Sequence, residues 1–185
     1  MLHILSDEQR KRIAFLRGAP EDVYSLEREE IFRKRLRRAD RHIDEELFIT
    51  GNYDSLDAYS ATLELLELHP DVDAIVAAND IMALSAARVV TSLGLRIPQD
   101  VAITGFDDSL EATEHSPALT TVRQHIAGMA EVAAQRLLEQ LEVSENSLPA
   151  SLLTEIPSEL VVRGSTIRCA ETCLLYTSPS PRDRG

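Results

Sequence analysis

Residues 73–78 (DAIVAA) are apolar almost throughout, with none of the alternation that marks a strand with one wet face. Such a run suits a strand covered on both sides, as in a parallel sheet. It ends in Asn79-Asp80, and helical spacing follows at once, with Ile81, Leu84, Ala87, Val90 and Leu93 in step and Gly94 as the stop. The same unit recurs along the chain. Arg12 to Leu16 (RIAFL) reads as a buried strand closed by Arg17-Gly18, and Pro20-Glu21-Asp22 opens a helix to about Ala39. Glu46 to Thr50 (ELFIT) reads as a strand followed by Gly51-Asn52-Tyr53. Ser55 is then the expected cap of a helix carrying Leu56, Tyr59, Leu63, Leu66 and Leu68, stopped by His69-Pro70. Val101 to Phe106 (VAITGF) is the fourth strand, ending in Asp107-Asp108. The order βαβαβαβ with short links predicts an α/β fold with a doubly wound parallel sheet. In such sheets small ligands bind at the carboxyl ends of the strands. Gly51–Tyr53, Asn79-Asp80 and Asp107-Asp108 all fall there.

Beyond Pro117 the pattern changes. Leu119 to Arg123 reads as extended, and His125 to Leu141 as an amphipathic helix with Ile126, Met129, Ala133, Leu137 and Leu141 on one stripe. Strand-like pieces are expected near 152–156 and 159–162. Residues 167–185 have no period and contain Ser-Pro-Ser-Pro; they resemble translated adapter sequence and read as a non-native, disordered tail after a domain spanning 1–166.

Composition narrows the function. The net charge of −12 disfavours non-specific contact with phosphate backbones. The basic run Arg33, Lys34, Arg35, Arg37, Arg38, Arg41 reads either as a nucleic-acid patch or as a solvated helix face whose cations sit near the negative helix end; the acidic remainder and the lack of interleaved aromatics favour the second. No apolar run approaches the roughly 20 residues of a membrane span. The two cysteines, Cys169 and Cys173, lie in the tail, so the body has no disulfide framework, which suits a reducing cytoplasm; their spacing without a nearby histidine is a poor zinc half-site. A Gly-x-Ser-x-Gly turn, a His-Glu-x-x-His helix and a phosphate loop are absent, so no enzyme, metal or cofactor is expected. A phosphoryl-accepting receiver domain would share the sheet and its acidic strand ends. It needs a lysine at another strand end, and the only lysines are Lys11 and Lys34.

Four segments in register resemble the core domain of the lactose/galactose-repressor (LacI/GalR) family. They are Arg12–Leu16; VAANDIMA at 76–83, similar to "xxNDxMAxG"; GLRIPQDVAITGFDD at 94–108, similar to "GLxVPxDVxVxGFDD"; and PALTTVRQ at 117–124, similar to "PxLTTVxQ". The resemblance spans about residues 12–166. It implies a type I periplasmic-binding-protein-like domain, mainly its second subdomain plus the segment that crosses back over the hinge. It also implies a sugar or nucleoside-like effector, a homodimeric cytoplasmic parent, and operator DNA bound only through an N-terminal headpiece that this chain does not include. By the same resemblance the effector residues are Arg28, Tyr53, Asn79 and Asp107. Arginine offers a fork of donors to vicinal oxygens, tyrosine a face for sugar C–H groups, asparagine a donor and an acceptor, aspartate an acceptor for two groups. Plainer readings stand beside these: Arg28 as a cation paired with a neighbouring glutamate, Tyr53 as core, Asn79 as a helix cap, Asp107 as a turn residue. One departure from the family is Ile31, where a glycine usually follows the arginine; a bulky residue there is expected to shift the helix near the pocket. A transporter's sugar-binding protein would share the fold. The helix at 125–141 is expected to pack on a first subdomain, so its stripe should face water in this chain, which should then self-associate and bind effector weakly.

Overall fold

The computed structural model describes residues 10–142 and 154–167. Four strands, β1 (Ile13–Arg17), β2 (Phe48–Thr50), β3 (Ala74–Ala77) and β4 (Ala102–Thr104), form one sheet in the order β2-β1-β3-β4. Every pairing is parallel, with Phe15 beside Phe48 and Val76 beside Thr104 in register. Helices α1 (Val23–Arg38), α2 (Ser55–Leu68) and α3 (Asp80–Ser92) make the crossovers. The first strand step runs one way along the sheet and the later ones the other, so right-handed crossovers put α1 on one face and α2 and α3 on the opposite one. Phe15 points to the α1 side, where its ring stacks on Phe32 at 4.9 Å and tilts against Phe48 at 6.1 Å. Leu16 points the other way, towards Ala58 and Met82 around Gly51.

A short helix α4 (Leu110–Glu114) and strand β5 (Thr121–Arg123) follow. Isolated parallel bridges join Thr104 to Thr120 and Asp107 to Arg123, so the chain before and within β5 extends the sheet at its carboxyl end. β6 (Glu159–Val161) pairs antiparallel with β5. Of the strand expected near 152–156, residues 154–156 are not in a strand, and 152–153 lie outside the described residues. The tail reading, with Cys169 and Cys173, also lies outside them.

Three local readings need correction. Asp54, not Ser55, caps α2, its carboxylate accepting from the backbone of Leu56 at 2.7 Å and Asp57 at 3.1 Å. The buried stripe of α2 is Ala58, Thr62, Leu65 and Leu66, whereas Leu56 and Leu68 face solvent. Small residues at 58 and 62 let α2 approach its neighbours closely; of the residues chosen from periodicity Leu66 lies in that seam, and Tyr59 and Leu63 pack partly buried beside it. In α3, Ile81 and Leu93 are likewise exposed, while Met82, Ala83, Ala86 and Val89 join the core, because this helix is covered by both the sheet and α2.

Helix α5 (Ile126–Glu142) carries the expected stripe, and Ile126, Met129, Leu137 and Leu141 are all exposed. Among the described residues no helix is long and apolar enough to cross a membrane. The basic end of α1 is largely occupied by ion pairs. Arg33 binds Glu29 and Glu45 and lies 3.8 Å over the Phe48 ring, and Lys34 and Arg37 approach Glu30. That is the solvated-face reading of this cluster.

Candidate functional site

The carboxyl ends of the four strands deliver Gly18, Gly51–Tyr53, Ala78–Asp80 and Phe106–Asp108 to one rim. The N-terminal half of α1 lies beside it. Arg28 donates from Nη1 to the carbonyl of Ala78 at 2.9 Å, and its guanidinium carbon sits 4.1 Å from the centroid of the Phe106 ring. It thereby bridges the ends of β3 and β4. Among the described residues it makes no ion pair with a glutamate, which removes the plain helix-face reading. Its Nε and Nη2 make no hydrogen bond among the described residues. Ile31 is 53% exposed, so its side chain projects to solvent instead of wedging into the core.

Tyr53 and Asn52 occupy the left-handed region, with φ of 58° and 52°. This turn lays the Tyr53 ring over Gly18, where an added Cβ would come within 2.1 Å of the ring. The hydroxyl donates to Asp22 Oδ2 at 3.0 Å, and the same oxygen caps α1 through the Ser25 N–H at 2.8 Å. Burial, then the Asp22 contact, pushes the phenol above its ordinary range. The ring is half-buried and packs against the core, so the core reading holds for one side of it.

Asn79 is the N-cap of α3: Oδ1 accepts from Met82 N at 3.0 Å. The plain reading is correct for that atom. The Nδ2 amide makes no hydrogen bond among the described residues and remains a donor at the rim.

Asp107 has φ of 126° and Asp108 of 61°, a pair of left-handed residues that turns the chain sharply after β4. Asp107 Oδ1 accepts from Gln124 Nε2 at 2.7 Å. Burial raises the Asp107 carboxyl above the usual carboxylate range, against the opposing pull of Gln124 and the positive charge of Arg28. Asp108 faces away from this pair and binds Arg123 and Arg163, each at 2.6 Å. Burial opposes its ionisation, but the two arginines prevail and hold it low. Asp80 is buried beneath the rim and pushed up by burial and by the charges of Asp107 and Asp108. The three aspartates are thus committed to separate partners. No group of three His, Cys, Asp or Glu among the described residues is arranged to hold a metal.

All four sequence-derived residues therefore meet on one rim. Sequence reasoning missed their supports: Gly18, Asp22, Phe106 and Gln124. Phe106 and Gln124 carried a signal, as members of the 94–108 and 117–124 segments. A separate hollow of about 560 Å³ lies along the β2 edge, lined by Glu46, Ile49, Thr50, Glu64, Leu65 and His69. Glu46 and His69 in its lining approach each other at 3.5 Å.

A parallel open sheet with polar side chains gathered at its carboxyl ends defines one lobe of an α/β solute-binding architecture. Residues 3–166 match the periplasmic binding protein-like domain, and the chain belongs to that family, in the branch of the LacI-type transcription regulators. It is 36% identical over 161 residues to the transcriptional regulator CelR of Thermobifida fusca, covering 87% of this chain and 46% of that protein. It is 31% identical over 166 residues to the repressor PurR of Mannheimia succiniciproducens, covering 90% of this chain and 49% of that one. The structure of a CelR–cellobiose complex matches with a TM-score of 0.77 at 36% identity, over 85% of this chain and 47% of that one. The lac repressor dimer bound to operator and the anti-inducer ONPF matches with a TM-score of 0.78 at 26% identity, over 90% and 56%. The chain spans about half the length of the curated relatives it matches.

Proposed function

We propose that this chain is the effector-sensing part of a transcription regulator, and that Arg28, Tyr53, Asn79 and Asp107 hold a small polyhydroxylated solute, a sugar or a nucleoside. The role is binding, not catalysis. The observation that carries this reading is the position of Arg28, fixed by Ala78 and Phe106, with Nε and Nη2 making no hydrogen bond among the described residues, within electrostatic reach of both Asp107 and Tyr53. A cationic fork beside a carboxylate acceptor and an aromatic face matches adjacent sugar hydroxyls and the C–H surface between them.

In the whole protein the solute closes this lobe against a second one. It acts through its differential affinity for the two relative orientations, and that difference sets the operator affinity of paired cytoplasmic headpieces. The CelR complex contains cellobiose, which makes a disaccharide the first solute to try.

The test is an NMR titration of ¹⁵N-labelled chain with cellobiose, maltose, ribose and guanosine up to millimolar concentration. One lobe alone supplies half the contacts, so weak binding is expected, with shifts confined to Arg28, Tyr53, Asn79, Asp107 and their neighbours and abolished in Arg28→Ala. Shifts at the β2-edge hollow instead of the rim overturn this reading.

A further inference from the structure

We propose that Asp80 is a positioning residue for the effector site, acting with Thr121 to hold the Asp107–Asp108 turn in the shape that presents Asp107. The proposal rests on the reading of Asp107 as an effector contact and adds the device that aims it.

Asp80 is 1% exposed and cannot meet a solute itself. Its Oδ2 accepts from the backbone N–H of Ser109 at 2.8 Å, and its Oδ1 from the Thr121 hydroxyl at 2.6 Å. That hydroxyl has one proton, already given to Asp80, so its lone pair is turned to the backbone N–H of Asp108 at 3.3 Å. Two successive amides of the turn are thus tied to one carboxylate, the first through a hydroxyl relay and the second directly. The backbone of Asp80 completes the enclosure by donating to the carbonyl of Phe106 at 2.8 Å. Gly105 leaves room for it: a Cβ there would lie 2.1 Å from Asp80 Oδ1.

The turn needs such a hold. Asp107 and Asp108 both have positive φ, where side-chain-bearing residues are disfavoured and persist only when their surroundings over-determine them. Asp107 is otherwise fixed by its own N–H to Val122 and by Gln124, both on the β5 side. Asp80 supplies the hold from the β3–α3 side. A buried, desolvated carboxylate is costly unless its lone pairs are filled, and here each oxygen is filled by a group that shapes the site.

The test uses the ¹⁵N-labelled full chain with Thr121→Val, Thr121→Ser and Asp80→Asn. Hydrogen exchange at the Asp108 and Ser109 amides reports the turn, and the Gln124 side-chain amide resonance reports the aim of Asp107; neither needs a ligand. Thr121→Val is expected to speed exchange at Asp108 at least tenfold and to move the Gln124 resonance. Thr121→Ser should restore both to wild-type values, while Asp80→Asn speeds exchange at Ser109 and leaves the sheet amides of Phe15 and Ile75 protected. Equal behaviour of the valine and serine variants overturns the proposal. So does an Asp80→Asn variant that loses sheet protection as fast as it loses Ser109. Cellobiose titrations separate the two readings. An Asp107→Ala variant that still gives the full rim response refutes the effector reading alone, and a wild-type chain without any response refutes cellobiose and leaves the exchange data to decide the clamp.

Discussion

The guanidinium of Arg28 lies 4.1 Å from the centroid of the Phe106 ring, so a cation on α1 rests on the residue that precedes the aspartate pair of β4. This contact is half-buried and joined to a hydrogen bond with Ala78. Arg28→Ala should cost about 1–2 kcal/mol of stability, from a cation–π contact of about 0.5–1 and a hydrogen bond of about 1. Urea unfolding measures this. The same variant should lose the rim response to sugar. Arg28→Lys should recover part of the stability but not the response, because an ammonium cannot present the planar fork.

Parts of this arrangement were legible in the sequence for a definite reason. A strand buried on both faces leaves an uninterrupted apolar run, and 74–77 is such a run; the polar residues after it then have to lie at the strand's end. Tyr53, Asn79 and Asp107 are placed at strand ends this way, whereas Arg28, and the effector role of all four, rest on family likeness. Helix α4 was missed because five residues hold little more than one turn and show no period. The α2 seam was misplaced because close packing selects Ala58 and Thr62, which hydropathy ranks below the leucines beside them. Asp22 was read only as a helix opener. Its contact with Tyr53 joins residues 31 apart, and nothing local encodes it.

Gly18 and Tyr53 give a prediction about that contact. Gly18→Ala places a methyl where the ring now lies, so the phenol must swing away from Asp22 and towards water. The raised Tyr53 titration should then fall back towards the ordinary value of about 10, read by ultraviolet difference titration. Tyr53→Phe keeps the ring in place and removes only the hydroxyl bond, at about 0.5–1.5 kcal/mol. A Gly18→Ala chain whose tyrosine titration is unchanged would show that the ring is not seated on this glycine.

The carboxylates pull the pH profile in two directions. Asp100 is held at about 2 by the Arg96 side chain and backbone, and Asp108 is held low because its two arginines outweigh burial. Groups lowered on folding stabilise above their unfolded value, about 3.9, and that contribution is lost as pH falls through their folded values. Asp80 and Asp107 are raised, so the folded state favours their protonated forms, and they oppose folding at pH 7; this penalty is relieved as pH falls through their folded values towards about 3.9. Stability should therefore rise on mild acidification from pH 7 and then fall between about pH 4 and pH 2. Asp107→Asn should raise the urea midpoint at pH 7 while removing the sugar response, and Asp100→Asn should flatten the acid limb. A profile that declines steadily from pH 7 downward would refute the first half.

The exposed stripe of α5 separates solubility from stability. Leu137 is 58% exposed, Leu138 56% and Leu141 75%, and no described side chain of this helix is buried. Their contribution to the isolated fold is therefore small, although fully burying a leucine is worth about 1.5–3 kcal/mol. The apolar area left in water instead favours association between chains. Leu137→Glu with Leu141→Glu should leave the thermal midpoint within about 2 °C of wild type, because no packing is lost, and should abolish concentration-dependent association in sedimentation velocity. The control is Leu36→Glu in α1, at a position only 4% exposed, which should unfold the chain. A large fall in the midpoint of the α5 double variant would mean that this helix packs on its own sheet in solution, and its stripe would then contribute to the stability of the fold.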